Sequence, residues 1–179
     1  FVATINVYAN SQENAGEFVL SGNVKATVSA LGVTYEGTAN LTGGTIQNNS
    51  TQVYGGGVCI TGQSAVLLDG TQILNNQAPY NGGGVYIEGA SNPASFVMKS
   101  GSITGNTLSE EYGSGAGIYA WYAGKETLVS ITGGTIQNNT GPACNGQAVS
   151  LARQDASAGY ARLQFSGNPQ ISGDVYLWH

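Results

Sequence analysis

The sequence predicts an all-β chain wound as a right-handed parallel β-helix, a solenoid of about six coils with three short strands per coil. Three observations carry that reading. A heptapeptide recurs unchanged, as Gly43-Gly44-Thr45-Ile46-Gln47-Asn48-Asn49 and Gly133-Gly134-Thr135-Ile136-Gln137-Asn138-Asn139. A glycine-rich phrase returns in step with it. No window carries the 3.6-residue apolar spacing of a helix.

The anchor strand comes first. Looser copies of the heptapeptide are Gly70-Thr71-Gln72-Ile73-Leu74-Asn75-Asn76, Gly101-Ser102-Ile103-Thr104-Gly105-Asn106 and Pro169-Gln170-Ile171-Ser172-Gly173-Asp174, with an early one at Ser21-Gly22-Asn23-Val24. The anchors Val24, Ile46, Ile73, Ile103, Ile136 and Ile171 are spaced by 22, 27, 30, 33 and 35 residues. A constant motif on a growing period means that the strands are fixed while a loop lengthens.

The glycine-rich strand follows. Its copies are Gly55-Gly56-Gly57-Val58-Cys59-Ile60, Gly82-Gly83-Gly84-Val85-Tyr86-Ile87, Gly115-Ala116-Gly117-Ile118-Tyr119-Ala120 and Gly146-Gln147-Ala148-Val149, with a weaker copy at Gly32-Val33. These glycines resemble phosphate loops, but they recur in every coil and no helix follows, so they read as tight corners. A further strand precedes each anchor, with Val19, Leu41, Leu68, Met98, Ile131 and Phe165 as its apolar marks. None of these units can bury its apolar face alone, and stacking each strand on its copy one coil later buries all of them.

The corner after the anchor carries Asn49, Asn76, Asn106 and Asn139, with Asp174 in the fifth copy. Identical amides one coil apart, about 4.8 Å, can form a ladder. Asn also tolerates the left-handed backbone of a corner, so a structural role is expected of this row.

Composition narrows the classes. Charged residues are 8 % of the 179, and the net charge is −5. That leaves no basic stripe for nucleic acid, and no apolar run is long enough to span a membrane. Two Cys make no disulfide framework. Low charge with Asn/Gly-rich turns leans towards a secreted or surface protein. Residues 1–179 read as a single β-helix domain. The strand-like Val2-Ala3-Thr4-Ile5 and Val175-Tyr176-Leu177-Trp178 at its ends are uncapped, which suggests a piece of a longer chain.

The Ile-x-x-Asn phrase followed by Gly-Gly-Gly-Val resembles the paired FxxN and GGA[I/L/V] repeats of chlamydial polymorphic outer-membrane proteins, with Ile or Val in place of Phe. It is also similar to GG-T-I-x-x-N repeats of large gut-bacterial surface proteins. The resemblance covers roughly residues 19 to 175. It implies an adhesin-like, non-catalytic β-helix at the bacterial cell surface, presenting a binding face or serving as a stalk for attachment to a glycan or a host surface protein.

The alternative is a carbohydrate-active enzyme, a polysaccharide lyase or hydrolase of pectin-lyase-like fold. Such hydrolases need paired carboxylates, and the row through Asp69 continues as Lys99 and Thr132, while the row through Glu88 holds Thr61 and Trp121. Arg153, Asp155 and Arg162 are the nearest approach to a lyase set, and His179 is the lone histidine. Zinc-ligand spacing and calcium-binding solenoid repeats are absent, so no cofactor, no metal and no catalytic residue is expected. The constellation that stands out is aromatic. Tyr86 and Tyr119 share an outward slot on adjacent coils, Tyr54, Tyr80 and Tyr112 precede the glycine-rich phrase, and Trp121 and Tyr122 extend the third coil. Such a strip suits sugar rings or a protein partner, or it stabilises the coils without a ligand.

Overall fold

The computed structural model describes residues 4–8, 17–21, 30–34, 38–62, 64–90, 92–153 and 161–178. Val24, Asp155 and His179 lie outside them, as do Phe1 to Ala3. Every described strand pairs in parallel with its copy one coil away, as a solenoid requires. The glycine sheet runs through Thr4–Tyr8, Ala30–Thr34, Val58–Thr61, Val85–Gly89, Ile118–Tyr122, Val149–Arg153 and Val175–Leu177. A second sheet stacks Glu17–Ser21, Thr38–Thr42, Ala65–Leu68, Ala94–Met98, Thr127–Ile131 and Ala161–Phe165. The anchor sheet stacks Thr45–Gln47, Gln72–Leu74, Ser102–Thr104, Thr135–Gln137 and Gln170–Ile171.

Three strands per coil are therefore present, but the anchor sheet spans about four turns rather than six. The sixth anchor, Val24, falls outside the described residues. A fourth, two-stranded sheet of Gln77–Ala78 and Thr107–Leu108 forms after the corner. It buries Ala78 and Leu108 with Ala116 and the half-buried Cys144, in a small cluster beside the main core. That strand was not expected, because two residues are too few to show alternation.

The core follows from period-2 alternation. Ile46, Ile73, Ile103 and Ile136 line one wall, Val58/Ile60, Val85/Ile87 and Ile118/Ala120 the second, and Leu41, Leu68, Met98 and Ile131 the third, all buried in one cluster. Pairing corrects two register readings. Leu20, not Val19, is in register with Leu41, and Leu31, not the Gly32-Val33 pair, is in register with Val58.

The corner divides its labour between two adjacent residues. The left-handed backbone belongs to the residue before the ladder: Asn48, Asn75 and Asn138 have φ of 56°, 53° and 55°, and Gly105 takes the same place at 68°. Only glycine, and less readily Asn, adopts that conformation at low cost. The ladder residues themselves are buried. Asn106 shows the pattern in full. Its Oδ1 accepts from the backbone N–H and the Nδ2 of Asn76, both at 3.0 Å. Its Nδ2 donates to Asn139 Oδ1 at 2.9 Å and to the Ile73 carbonyl at 3.0 Å. Asn76 repeats this on Asn49, Asn106 and the Ile46 carbonyl. Every hydrogen-bonding position of these two amides is filled. Asp174, at the fifth position, is exposed.

The glycine triplets serve the ladder. A Cβ on Gly84 would lie 2.6 Å from the Gly117 carbonyl oxygen and 3.1 Å from Asn106 Nδ2. Gly57 meets Gly84 and Asn76 in the same way, at 2.8 and 3.0 Å. The third glycine is thus bare because the backbone carbonyl, the anchor isoleucine and the ladder amide of the next coil all lie against it.

Candidate functional site

The outer face of the glycine sheet carries the aromatic side chains. Cys59, Tyr86 and Tyr119 are in register on successive coils, followed by Ser150 and Tyr176. Alternation turns this row away from the main core, as the sequence suggests, but it does not leave it bare. Tyr86 and Tyr119 are 2 % and 9 % exposed and form a second, outer cluster with Ala152, against which Cys59 and Trp121 pack.

Within that cluster the rings form a column. Tyr86 and Tyr119 stack with centroids 5.7 Å apart and planes 11° from parallel. Tyr54 stacks on Tyr86 at 4.8 Å and 10°. Tyr54 belongs to the turn that leads into the Cys59 strand, and it bridges Asn81 one coil on. Cys59 is small at that level, and the Tyr54 ring occupies the place a larger side chain would take. Parallel coils hold successive side chains about 4.8 Å apart, so the Tyr86–Tyr119 stack follows from register, and Tyr54 joins it from the turn.

Polar groups fix the column. The Tyr86 hydroxyl donates to Glu88 Oε2 at 3.0 Å. Burial, followed by the Glu88 charge, drives the Tyr86 phenol far above its ordinary value. Burial also pushes Tyr119 up to about 12, with Tyr54 and Glu88 adding to it. Burial and Glu88 push the Cys59 thiol up to about 11. All three groups are therefore neutral at physiological pH.

The remaining aromatic residues part company. Tyr122 is buried, and its hydroxyl donates to the Gly124 carbonyl at 3.0 Å. Tyr54 and Tyr80 are 37 % and 45 % exposed and meet at 6.4 Å with planes 61° apart. Trp121 is half-buried, and Tyr112 is 90 % exposed. Tyr54, Tyr80 and Tyr112 do not form one row. Tyr54 is level with Asn81, and Asn81 with Ser114, because the three tyrosines lie one, two and three residues before their glycines. The accessible aromatic residues of this side are thus Tyr54, Tyr80, Tyr112 and in part Trp121, with Val53 exposed next to Tyr54 in the chain.

Of the lyase-like set, Asp155 and the Arg153 side chain lie outside what the structure describes. Arg162 pairs with Glu126 at 3.4 Å on the surface. Asp69 accepts a hydrogen bond from the Ser100 hydroxyl at 2.6 Å. Both cysteines are free thiols. Among the described residues no three His, Cys, Asp or Glu side chains gather as metal ligands, and no helix is long and apolar enough to cross a membrane. No family model matches the chain, and no curated protein or solved structure matches it.

Proposed function

We propose that the chain is a non-catalytic, surface-exposed solenoid of a bacterial cell surface that binds a glycan or a host surface protein through its tyrosine side. The observation that carries this reading is the Tyr54–Tyr80 pair. Two half-exposed rings stand at an angle, seated on a buried column that holds one of them in place. Aromatic groups fixed before binding lose little side-chain entropy when a partner arrives. The turns that present them sit on a rigid frame, which is where binding residues concentrate. The repeat resemblance to bacterial surface proteins supports the location. An extracellular scaffold of this kind needs little charge, which agrees with the composition.

The test is a panel of glycans and mucosal glycoproteins probed with the parent chain and with the Tyr54→Ala/Tyr80→Ala variant. Binding by the parent and its loss in the variant, with the β circular-dichroism spectrum unchanged, is the expected result. Equal binding by both, or a partner that maps to the outer face of the anchor sheet, where Thr45, Gln72, Ser102 and Thr135 are in register, contradicts it. Tyr119→Ala is a poor probe, since that ring is buried in the outer cluster.

A further inference from the structure

Three features meet at Tyr86. Its ring is buried and stacks with both Tyr54, at 4.8 Å, and Tyr119, at 5.7 Å. Its hydroxyl donates to Glu88 Oε2 at 3.0 Å, within the reach of about 2.6–3.2 Å over which a proton passes directly. The stack leads to Tyr54, which is 37 % exposed and meets the half-exposed Tyr80. One-electron oxidation of a phenol needs these parts together. The electron leaves through the rings. The proton, which a phenol holds far less tightly once oxidised, leaves through the hydrogen bond.

We infer that Tyr54, Tyr86 and Glu88 form a redox site that takes one oxidising equivalent from a radical oxidant at the surface and holds it on Tyr86. The oxidant takes one electron from the Tyr54 ring and leaves as its anion, and the Tyr54 hydroxyl proton passes to water. One electron then crosses from the Tyr86 ring to Tyr54, which regains a proton from water. The Tyr86 hydroxyl proton moves to Glu88 Oε2. The products are a neutral Tyr86 phenoxyl radical, a protonated Glu88, an intact Tyr54 and the reduced oxidant. Two effects keep the radical on Tyr86. Neutralising the Glu88 carboxylate removes a charge beside the buried outer cluster, which a desolvated place favours. Burial also keeps the Tyr86 ring from meeting a second tyrosyl radical and coupling to dityrosine. This role belongs to the buried middle of the column and stands whether or not the exposed side binds a partner.

Pulse radiolysis with azide radicals, followed by phenoxyl absorbance and electron paramagnetic resonance, tests the site. In the parent, a fraction of the tyrosyl radical should decay at a rate independent of protein concentration. Radicals left on exposed rings, such as Tyr112, should decay faster as concentration rises and give dityrosine. Tyr86→Phe keeps the stacked ring and removes the hydroxyl. Glu88→Gln keeps an oxygen to accept the hydrogen bond but does not take the proton. Both variants should lose the concentration-independent fraction and yield more dityrosine, with the β circular-dichroism spectrum unchanged. In deuterated water the parent's fraction should form more slowly, because a proton moves with the electron. Three outcomes overturn the inference: the parent shows no such fraction, the fraction persists in either variant, or it forms at the same rate in both solvents.

Discussion

The asparagine corner and the tyrosine side stand on the same stacked coils and use them in opposite ways. At the corner, each coil supplies the same residue, and each amide is satisfied by the coils above and below it. On the tyrosine side the row changes from Gly32 to Cys59 to Tyr86, Tyr119 and Ser150, and the Tyr54 ring, from the turn before Cys59, stacks on Tyr86. The corner has its polar groups closed and offers a partner little. The tyrosine column is buried at Tyr86 and partly exposed at Tyr54. Regularity here goes with stability, and the break in regularity goes with an exposed surface of distinctive shape.

Removing a ladder amide should separate the two regions most sharply. Asn106→Ala strands the Asn76 backbone N–H and one N–H of the Asn76 amide in a buried place, and takes one donor each from the Ile73 carbonyl and from Asn139 Oδ1, which keeps the backbone N–H of residue 106. Each unsatisfied buried group costs about 1–3 kcal/mol. A loss of about 3–5 kcal/mol in urea denaturation is expected, comparable with the roughly 2–5 kcal/mol of Ile103→Ala in the core. A loss below that of a surface substitution would mean that water replaces the ladder at no cost.

Tyr86→Ala comes next. It takes a buried ring from the middle of the column and removes the support of Tyr54. A loss of about 3 kcal/mol is expected, together with weaker binding, because Tyr54 then loses its fixed position. Tyr86→Phe removes only the hydroxyl that donates to Glu88, and should cost about 1 kcal/mol. If both variants matched the parent, the outer cluster would contribute nothing to the fold.

Alkaline pH should give the smallest effect, carried by the tyrosine side with a further contribution from the Cys144 thiol, which burial also raises. Cys59 and Tyr119 have folded pKa values of about 11 and 12, raised by burial from 9.0 and 10.0. In the unfolded chain these groups lose their protons first. Stability is therefore whole below about pH 9 and falls as pH rises towards 12. A Cys59→Ala/Tyr119→Phe variant should lose less stability across that window. The ladder has no titrating group and should contribute no slope there.

Much of the corner can be read from sequence, and less of the tyrosine side. The ladder repeats one residue at a fixed offset from an anchor, so Asn49, Asn76, Asn106 and Asn139 align on inspection. What sequence obscured was which of two neighbouring residues takes the left-handed backbone. Asn48-Asn49 are chemically alike, and only the Gly105-Asn106 coil separates the roles. In Glu17-Phe18-Val19-Leu20 three apolar residues run together, so alternation cannot choose the register and pairing decides it. The three tyrosines before the glycines have unequal offsets, so their alignment depends on turn geometry that the sequence pattern does not encode. Burial of Tyr86 and Tyr119 was hidden for a different reason. Period-2 alternation separates the two faces of a sheet, but it cannot show that an outer face is covered by a second layer of side chains.

Native-state hydrogen exchange tests the contrast without altering a residue. The backbone N–H groups of Asn76 and Asn106 each donate to a buried amide oxygen, at 3.0 and 2.9 Å. Gly55, next to the half-exposed Tyr54, donates to the Asn81 carbonyl at 3.1 Å in a turn. The Asn76 and Asn106 amides should exchange only through global unfolding, and the Gly55 amide through a local opening of lower free energy. Equal protection in the two places, or faster exchange at the corner, would contradict the assignment of stability to the ladder and of accessible surface to the Tyr54 end.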